Sequence, residues 1–477
     1  MAQQLTFDVI VLGAGVAGEN AADRASRTGL SVALVEHALV GGECSYWACM
    51  PSKVLLRPGA ALAAAREAPG APVDSTVDVA AVLARRDDVA AHWDDAGQVG
   101  WVESVGIELL RGHARFTGPR ELTLSTDDGE TALVARRAVI VATGSTPIIP
   151  PVPGLAEAEP WTSREATSVQ RVPARLVVLG GGVVGVEMAT VFADFGSEVT
   201  LVVRGPRLLA GAEPFAGEAV AESLRALGVT VLLDAQTSAV TRDADGVHVE
   251  LADRTIDADE LLVATGRRPR TDDLGLESVG LVSGEPIAVD DALAATGVDG
   301  GWLFAVGDVT GRTSTTHQGK YDARVAGDVV AARFGSDADA KEAEHAAGPW
   351  SRYRATADEA SVPQVVFSRP EVAWVGHTEA SARKAGIDVR VVPYDLANLS
   401  GATVLSPTYA GQAQLVLDEA RGVIVGATFV GPDVAEMLHA ATVAVVGQVP
   451  LARLWHAVPA YPTLSEVWLR FGEAAGL

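Results

Sequence analysis

The sequence predicts an α/β protein with two Rossmann-like dinucleotide-binding domains, the second inserted into the first, followed by an α+β domain. Three observations carry that prediction. A strand, glycine turn, helix, strand unit occurs twice, at "FDVIVLGAGVAGENAADRASRTGLSVALVEH" and at "ARLVVLGGGVVGVEMATVFADFGSEVTLVVRGPRLL". The two copies agree in register, since Gly13 to Glu36 and Gly180 to Val203 span the same 23 positions. Beyond residue 350 the strand-like runs "VPQVVFS", "QAQLVLDE" and "GVIVGATFVG" precede the helix-like "AEMLHAATVAVVGQV", the order of an α+β module. The expected domains are 1–150 with 270–345, then 151–269, then 350–477.

Each N-terminal unit carries GxGxxG, at Gly13, Gly15 and Gly18 and again at Gly180, Gly182 and Gly185. The first glycine permits the tight turn, the second lets the backbone approach a pyrophosphate, and the third packs helix on strand. Glycine turns also join strands to helices for structural reasons alone. The flanking strands and helix at the right distances favour the cofactor reading.

The two copies differ where the second strand ends. Glu36 can hold an unmodified ribose 2′-hydroxyl, which suits FAD or NAD. Val203 stands at the equivalent place, with Arg204 and Arg207 close behind, which favours NADPH and leaves NADH possible. Two solvated loop charges are the alternative for those arginines.

"AVIVATGSTPIIPPVPG" (138–154) and "ELLVATGRRPRTDDLGL" (260–276) echo each other, each a strand ending in Ala-Thr-Gly. They make Thr143, Gly144 and Gly266 candidates for cofactor contact, with strand-to-loop punctuation as the plain alternative. "GGWLFAVGDVTGR" ends a buried strand at Gly307-Asp308, where a carboxylate can accept from cofactor hydroxyls or simply cap a turn. Residues 71–100 read as helical and surface-lying, and 334–350 as a polar linker.

The 477 residues, 48% of them hydrophobic, suffice for sizeable cores. A formal charge of −24, from 37 basic and 61 acidic residues, argues against nucleic acid and anionic membranes as partners. No basic stretch precedes an apolar one at the start, and no apolar run reaches the roughly 18 residues that span a bilayer, so a cytoplasmic protein is expected.

Both cysteines lie in "GGECSYWACMPSK", residues 41–53. In a reducing compartment a close pair is more often catalytic or metal-binding than a staple. Zinc needs about four Cys or His ligands, and no second pair completes such a set, so no metal is expected and Cys44 and Cys49 read as a redox pair. A metal site and accidental spacing stay open as alternatives.

With those residues read, the chain resembles the FAD-dependent pyridine nucleotide–disulfide oxidoreductases, the family of glutathione reductase, dihydrolipoamide dehydrogenase and mercuric reductase. The likeness runs over nearly the whole length. Its most specific element is similar to the family's Gly-Gly-Thr-Cys-x-x-x-x-Cys-x-Pro-Ser-Lys signature, with Gly41, Gly42, Cys44, Cys49, Pro51, Ser52 and Lys53 in place. Glu43 replaces the usual Thr, and Tyr46-Trp47-Ala48 the common Asn-Val-Gly.

The resemblance implies that Cys44 attacks substrate and that Cys49 meets the flavin, with Gly42 beside the cofactor. It implies that Lys53 and Glu187 form an ion pair near the flavin's reactive nitrogen, that Asp308 binds the FAD ribityl or phosphate region, and that the third domain mediates a homodimer. A loop entering a helix brings two such cysteines together, Pro51 is tolerated in a first helical turn, and a thiolate at a helix N-terminus is acidified. Tyr46 and Trp47 either narrow access to the thiols or pack in the core.

One segment departs from the family. Its disulfide reductases use a partner-supplied His-Pro-Thr with a glutamate five positions on as acid and base. Here "HAVPAYPTLSE" (456–466) keeps Pro462, Thr463 and Glu466 but has Tyr461 in the histidine's place. An unperturbed tyrosine titrates near pH ~10 against ~6.5 for histidine, so it seldom removes a proton at neutral pH. His456 is a candidate replacement, with a surface histidine as the alternative. Mercuric reductase also resembles this chain in that tyrosine, yet the C-terminal "WLRFGEAAGL" has no cysteine pair.

The expected function is electron transfer from NADPH through FAD to Cys44–Cys49 and on to an unidentified small disulfide or similar electrophile. A diaphorase acting on quinones or metal ions, and a non-enzymatic redox-sensing flavoprotein, are the alternatives.

Overall fold

The computed structural model describes residues 4–71, 73–357 and 361–477. It divides into two compact units, the first of Met1–Met50, Asp87–Thr146 and Arg267–Asp358, the second of Pro51–Arg86, Pro147–Gly266 and Glu359–Leu477.

In the first unit, β1 (Gln4–Leu12), α1 (Val16–Ser26) and β2 (Val32–Glu36) form the predicted strand–helix–strand. The strands run parallel, with Val9 opposite Val32 and Leu12 opposite Val35. They belong to a seven-stranded sheet in which Glu108–Arg111, β2, β1 and Gly129–Val141 are neighbours and Leu303–Ala305 pairs with the last of these. Strands that are buried on both faces read as unbroken apolar runs, and "VIVL" and "VALV" do so for that reason.

Small residues let helices close on this sheet. Ala21, Ala22 and Ala25 of α1 are buried against the helix Thr316–Phe334. A Cβ on Gly327 of that helix would lie 2.8 Å from Ala21 O, so the backbones approach too closely for any larger residue.

The expected linker at 334–350 is corrected by the structure, because Ala338–His345 is a helix. Asp337 caps it by accepting from Ala340 N at 3.1 Å. Its buried Glu344 meets Arg333 at 2.9 Å and Arg354 at 3.2 Å. Glu344 is thus a paired, buried charge, whereas Asp339, Lys341 and Glu342 of the same helix are exposed.

Among the described residues the second unit holds three sheets. A parallel one has the order Thr230–Leu232, Glu198–Val202, Arg175–Leu179, Glu260–Val263, and the helix Val183–Asp194 joins its two middle strands, completing the second copy of the repeat. An antiparallel three-stranded sheet spans Ala239–Ala258. Five antiparallel strands between Gln364 and Gly431 form the C-terminal sheet, on which Leu438, Ala441 and Ala444 of the helix Leu438–Val446 are buried.

The stretch 71–100 is helical as expected, at Val79–Val89 and Ala96–Ser104. It is not wholly surface-lying, since Arg86 is 0% exposed. Its guanidinium donates to the carbonyls of Thr167 and Val169, which satisfies a charge that burial would otherwise penalise.

Candidate functional site

The first unit assembles a nucleotide loop and a dithiol from one stretch of chain. Gly13 adopts φ +95°, and a Cβ there would lie 2.6 Å from Ala142 O. A Cβ on Gly18 would lie 1.8 Å from Gly13 O, so only glycine lets α1 start against the turn. Gly15 is the extended residue that precedes α1 and leaves its N-terminal amides open to an anion. Glu36 ends β2 buried, its two oxygens accepting from Ala14 N at 2.7 Å and Ala38 N at 2.8 Å.

The glycine pair before the cysteines docks on that loop. Gly41 N donates to Ala14 O at 2.8 Å, and a Cβ on Gly42 would stand 2.7 Å from Gly15 Cα. The chain then enters α2 (Gly42–Tyr46), which carries Cys44, and α3 (Cys49–Glu67), which Cys49 begins with Pro51 in its first turn. This is the loop-into-helix arrangement that the spacing called for.

Both cysteines are free, half-buried thiols that lie near enough to interact. Cys49 Sγ also lies 3.2 Å from Thr316 Oγ1. The expected acidification does not extend to Cys44. The neighbouring Cys49 thiol, and then burial, push its pKa up, with the Thr316 hydroxyl and the Lys320 charge opposing. Tyr46 is core, its hydroxyl donating to Val40 O at 3.0 Å.

Asp308 lies second in the short 3-10 turn Gly307–Thr310 and accepts from Ser145 Oγ at 2.5 Å. Burial raises its pKa, while the Ser145 bond and the Arg267 charge work against the rise. Arg267 holds Ser145 in turn, Nε to Oγ at 2.8 Å. Thr143 Oγ1 donates to Arg270 O at 2.8 Å, and Gly144, at φ +72°, accepts from Arg270 N at 2.9 Å. Glu43 carboxylate oxygens stand 3.9 Å from Arg267 and 4.0 Å from Arg270. These arginines, with Ser145, Thr316 and Lys320, are site-facing residues that sequence reasoning missed. The arginine density of "TGRRPR" was the available signal.

In the second unit Gly180 adopts φ +115°, and a Cβ on Gly185 would lie 1.9 Å from Gly180 O. A Cβ on Gly182 would meet nothing within 4 Å, so that face of the loop is open where a pyrophosphate would sit. Val203 is buried against Gly181. Arg204 is exposed, and Arg207 donates to Ala210 O at 2.8 Å. Gly266 takes φ +141°.

Lys53 Nζ lies 2.8 and 3.1 Å from the two carboxylate oxygens of Glu187 and 5.1 Å from the centre of the Phe367 ring. Glu187, 3% exposed, also accepts from Phe367 N at 3.0 Å. A buried carboxylate thus holds one ammonium in place.

The C-terminal segment is brought together less completely. Tyr461 is 74% exposed and Glu466 is 6% exposed. Glu466 Oε1 accepts from Arg470 Nη2 at 2.6 Å, while Oε2 has no partner among the described residues, so the tyrosine hydroxyl does not meet it. His456 is exposed.

Comparison with known proteins assigns the architecture. A model of the pyridine nucleotide-disulphide oxidoreductase family matches residues 7–323, and that family's dimerisation domain matches residues 362–470. The chain belongs to the pyridine nucleotide-disulfide oxidoreductases. This oxidoreductase is 34% identical to dihydrolipoyl dehydrogenase of Chlorobaculum tepidum over 473 residues, 96% of this chain and 95% of that protein. It is 33% identical to mercuric reductase of Streptomyces lividans, over 96% of this chain and 94% of that one.

Among solved structures it is similar to the Cu(II) complex of RclA, an HOCl-induced flavoprotein disulfide reductase of Escherichia coli. The TM-score is 0.83 at 25% identity, covering 98% of this chain and 99% of that one. Members of the family are enzymes that use FAD and NAD(P)H. The open face at Gly182, the amide end of α1 and the buried Glu36 fit those two groups in this oxidoreductase. Among the described residues no helix is long and apolar enough to cross a membrane.

Proposed function

We propose that the protein, as a homodimer, moves two electrons from NADPH to a Cys44–Cys49 disulfide and on to a small disulfide or similar electrophile. The observation that carries this reading is the placement of both thiols at the junction of α2 and α3, docked through Gly41 and Gly42 onto a nucleotide loop. Gly13, Gly15, Gly18 and Glu36 would hold FAD, with Gly42, Thr143, Gly144 and Asp308 around it. Gly180, Gly182, Gly185 and Gly266 would hold the nicotinamide dinucleotide, and Arg204 and Arg207 would meet a 2′-phosphate. FAD, when bound, supplies the two-electron relay between nicotinamide and thiols.

The chain's own residues then have defined tasks. Lys53, fixed by Glu187, supplies a positive charge where reduction adds negative charge. The reduced pair carries two electrons and two protons. Cys44, as thiolate, attacks one sulfur of the acceptor and expels the other as a thiol after protonation. Cys49 then attacks Cys44, re-forming the internal disulfide and releasing the second thiol. With Cys44 held protonated by its neighbour, the first attack needs a base, and Tyr461 is a poor one.

Anaerobic titration with dithionite tests the reading. Uptake of two electrons beyond those the flavin takes, with a long-wavelength thiolate–flavin band midway, is expected. Uptake by flavin alone, with no such band, would sink it.

The exposed phenol of Tyr461 favours a second reading, a diaphorase that passes electrons to quinones or metal ions without thiol exchange. A Cys44→Ser enzyme would then keep most of its turnover, whereas the first reading requires collapse.

A further inference from the structure

A positive charge beside the thiols has no task in the electron path just described. The helix Thr316–Phe334 begins at the dithiol, where Thr316 Oγ1 lies 3.2 Å from Cys49 Sγ. Lys320 stands four positions on, so it lies one turn along the same helix face as Thr316. Close packing fixes the start of that helix. A Cβ on Gly319 would stand 3.5 Å from Gly307 Cα and 3.7 Å from Ala17 Cβ, so the helix rests on both α1 and the turn that holds Asp308.

The neighbouring charges leave Lys320 to the thiols. Lys320 is partly buried, and its ammonium acts electrostatically on the Cys44 thiol and the Glu19 carboxyl. Glu19 makes little claim on it below neutrality: burial, and then the charge of Glu36, raise the Glu19 pKa to about 7, and Glu19 Oε1 has no partner among the described residues. Glu43, next to Cys44 in sequence, stands 3.9 Å from Arg267 and 4.0 Å from Arg270, so its charge is already opposed. Tyr46 is neutral, because burial raises its pKa to about 12. At Cys44 itself the Cys49 thiol and burial oppose ionisation, and Thr316 and Lys320 favour it. Of those two, only Lys320 carries a charge.

We propose that Lys320 supplies by charge what Tyr461 does not supply as a base: it stabilises the Cys44 thiolate. The Cys44 S–H bond breaks, the proton passes to water, and the thiolate forms in the field of the ammonium. Unlike a base, the charge needs no proton acceptor in the protein. Above neutrality the Glu19 carboxylate forms and competes for Lys320, so the activation is strongest while Glu19 holds its proton. That the thiolate then attacks an acceptor rests on the proposed function, whereas its ionisation does not.

The test follows alkylation of Cys44 by iodoacetamide, located by peptide mass spectrometry, in FAD-loaded enzyme reduced anaerobically with dithiothreitol and then desalted. Lys320→Met is expected to slow the reaction about tenfold at neutral pH, the effect of a thiol midpoint about one pH unit higher. Lys320→Arg keeps the charge and should stay within about threefold of the natural rate. Glu19→Gln cannot ionise, so it should speed alkylation at about pH 8.5 and leave it unchanged at about pH 6.

An unchanged rate in Lys320→Met, or an equal loss in Lys320→Arg, overturns the inference. So does a faster rate in Lys320→Met, since a merely structural role would expose the thiol when the lysine is lost. If dithionite loads the thiols while Lys320→Met alkylates at the natural rate, this inference falls alone. If alkylation slows as expected while the thiols take no electrons, the proposed function falls and the role of Lys320 stands.

Discussion

On the proposed function, Tyr461 in the place of a histidine limits which acceptors the dithiol serves. A phenol donates a proton readily but seldom accepts one near neutrality, whereas an imidazole does both. Tyr461→His is therefore expected to raise kcat/KM for a small neutral disulfide by about 10- to 100-fold, read by steady-state kinetics. No change would mean that Tyr461 is remote from the thiols in the working enzyme. Glu19 offers a second test. Burial first, and then the charge of Glu36, raise its pKa from 4.5 to about 7, with Lys320 opposing. The folded state thus holds a proton that the unfolded chain has released. The associated stability is complete below about pH 4.5 and is lost as pH rises through about 7, a change of roughly 3 kcal/mol. Glu19→Gln should flatten apoprotein melting temperature across that window relative to the natural protein; parallel curves would refute the assignment. The placement of both cysteines at one loop-into-helix junction and of Glu36 at the end of β2 was legible in the sequence, because it depends on nearby spacing. Thr316 was not, since it reaches Cys49 from 267 positions away and a lone threonine carries no pattern.

At the scale of elements, both nucleotide units were legible because each glycine answers a local steric demand. A Cβ at Gly18 or Gly185 would come within 2 Å of a carbonyl in its own turn. The helix Ala338–His345 escaped because its polar residues resemble a linker until the partners of Glu344 are known. What spacing cannot decide is the cofactor's phosphate. Val203 turns inward under the second loop, so the position equivalent to Glu36 carries no carboxylate beside Arg204 and Arg207. Replacing both arginines by serine is expected to lower the ratio of kcat/KM for NADPH over NADH by about tenfold or more, chiefly through KM for NADPH. An unchanged ratio would identify them as solvated loop charges.

For the whole molecule, the formal charge of −24 sets a condition on assembly. Two such chains repel at long range, and the repulsion is screened within about 10 Å at 0.1 M salt. Association must then rest on local apolar contact. In the C-terminal region, which matches the family's dimerisation domain, Val443, Trp455, Val458 and Tyr461 are exposed. If the homodimer pairs the Tyr461–Glu466 segment of one subunit with the thiols of its partner, neither subunit owns a complete site. That arrangement predicts complementation. A Cys44→Ser subunit retains Glu466, and a Glu466→Ala subunit retains Cys44, so their heterodimer contains one intact site of two. Random reassortment makes half of the dimers hybrid, and disulfide turnover should recover to roughly a quarter of the natural level although each parent is nearly inactive. Recovery should also vanish when subunits are mixed without prior dissociation. If the segment instead served its own thiols, every hybrid site would lack one group, and mixing would restore nothing.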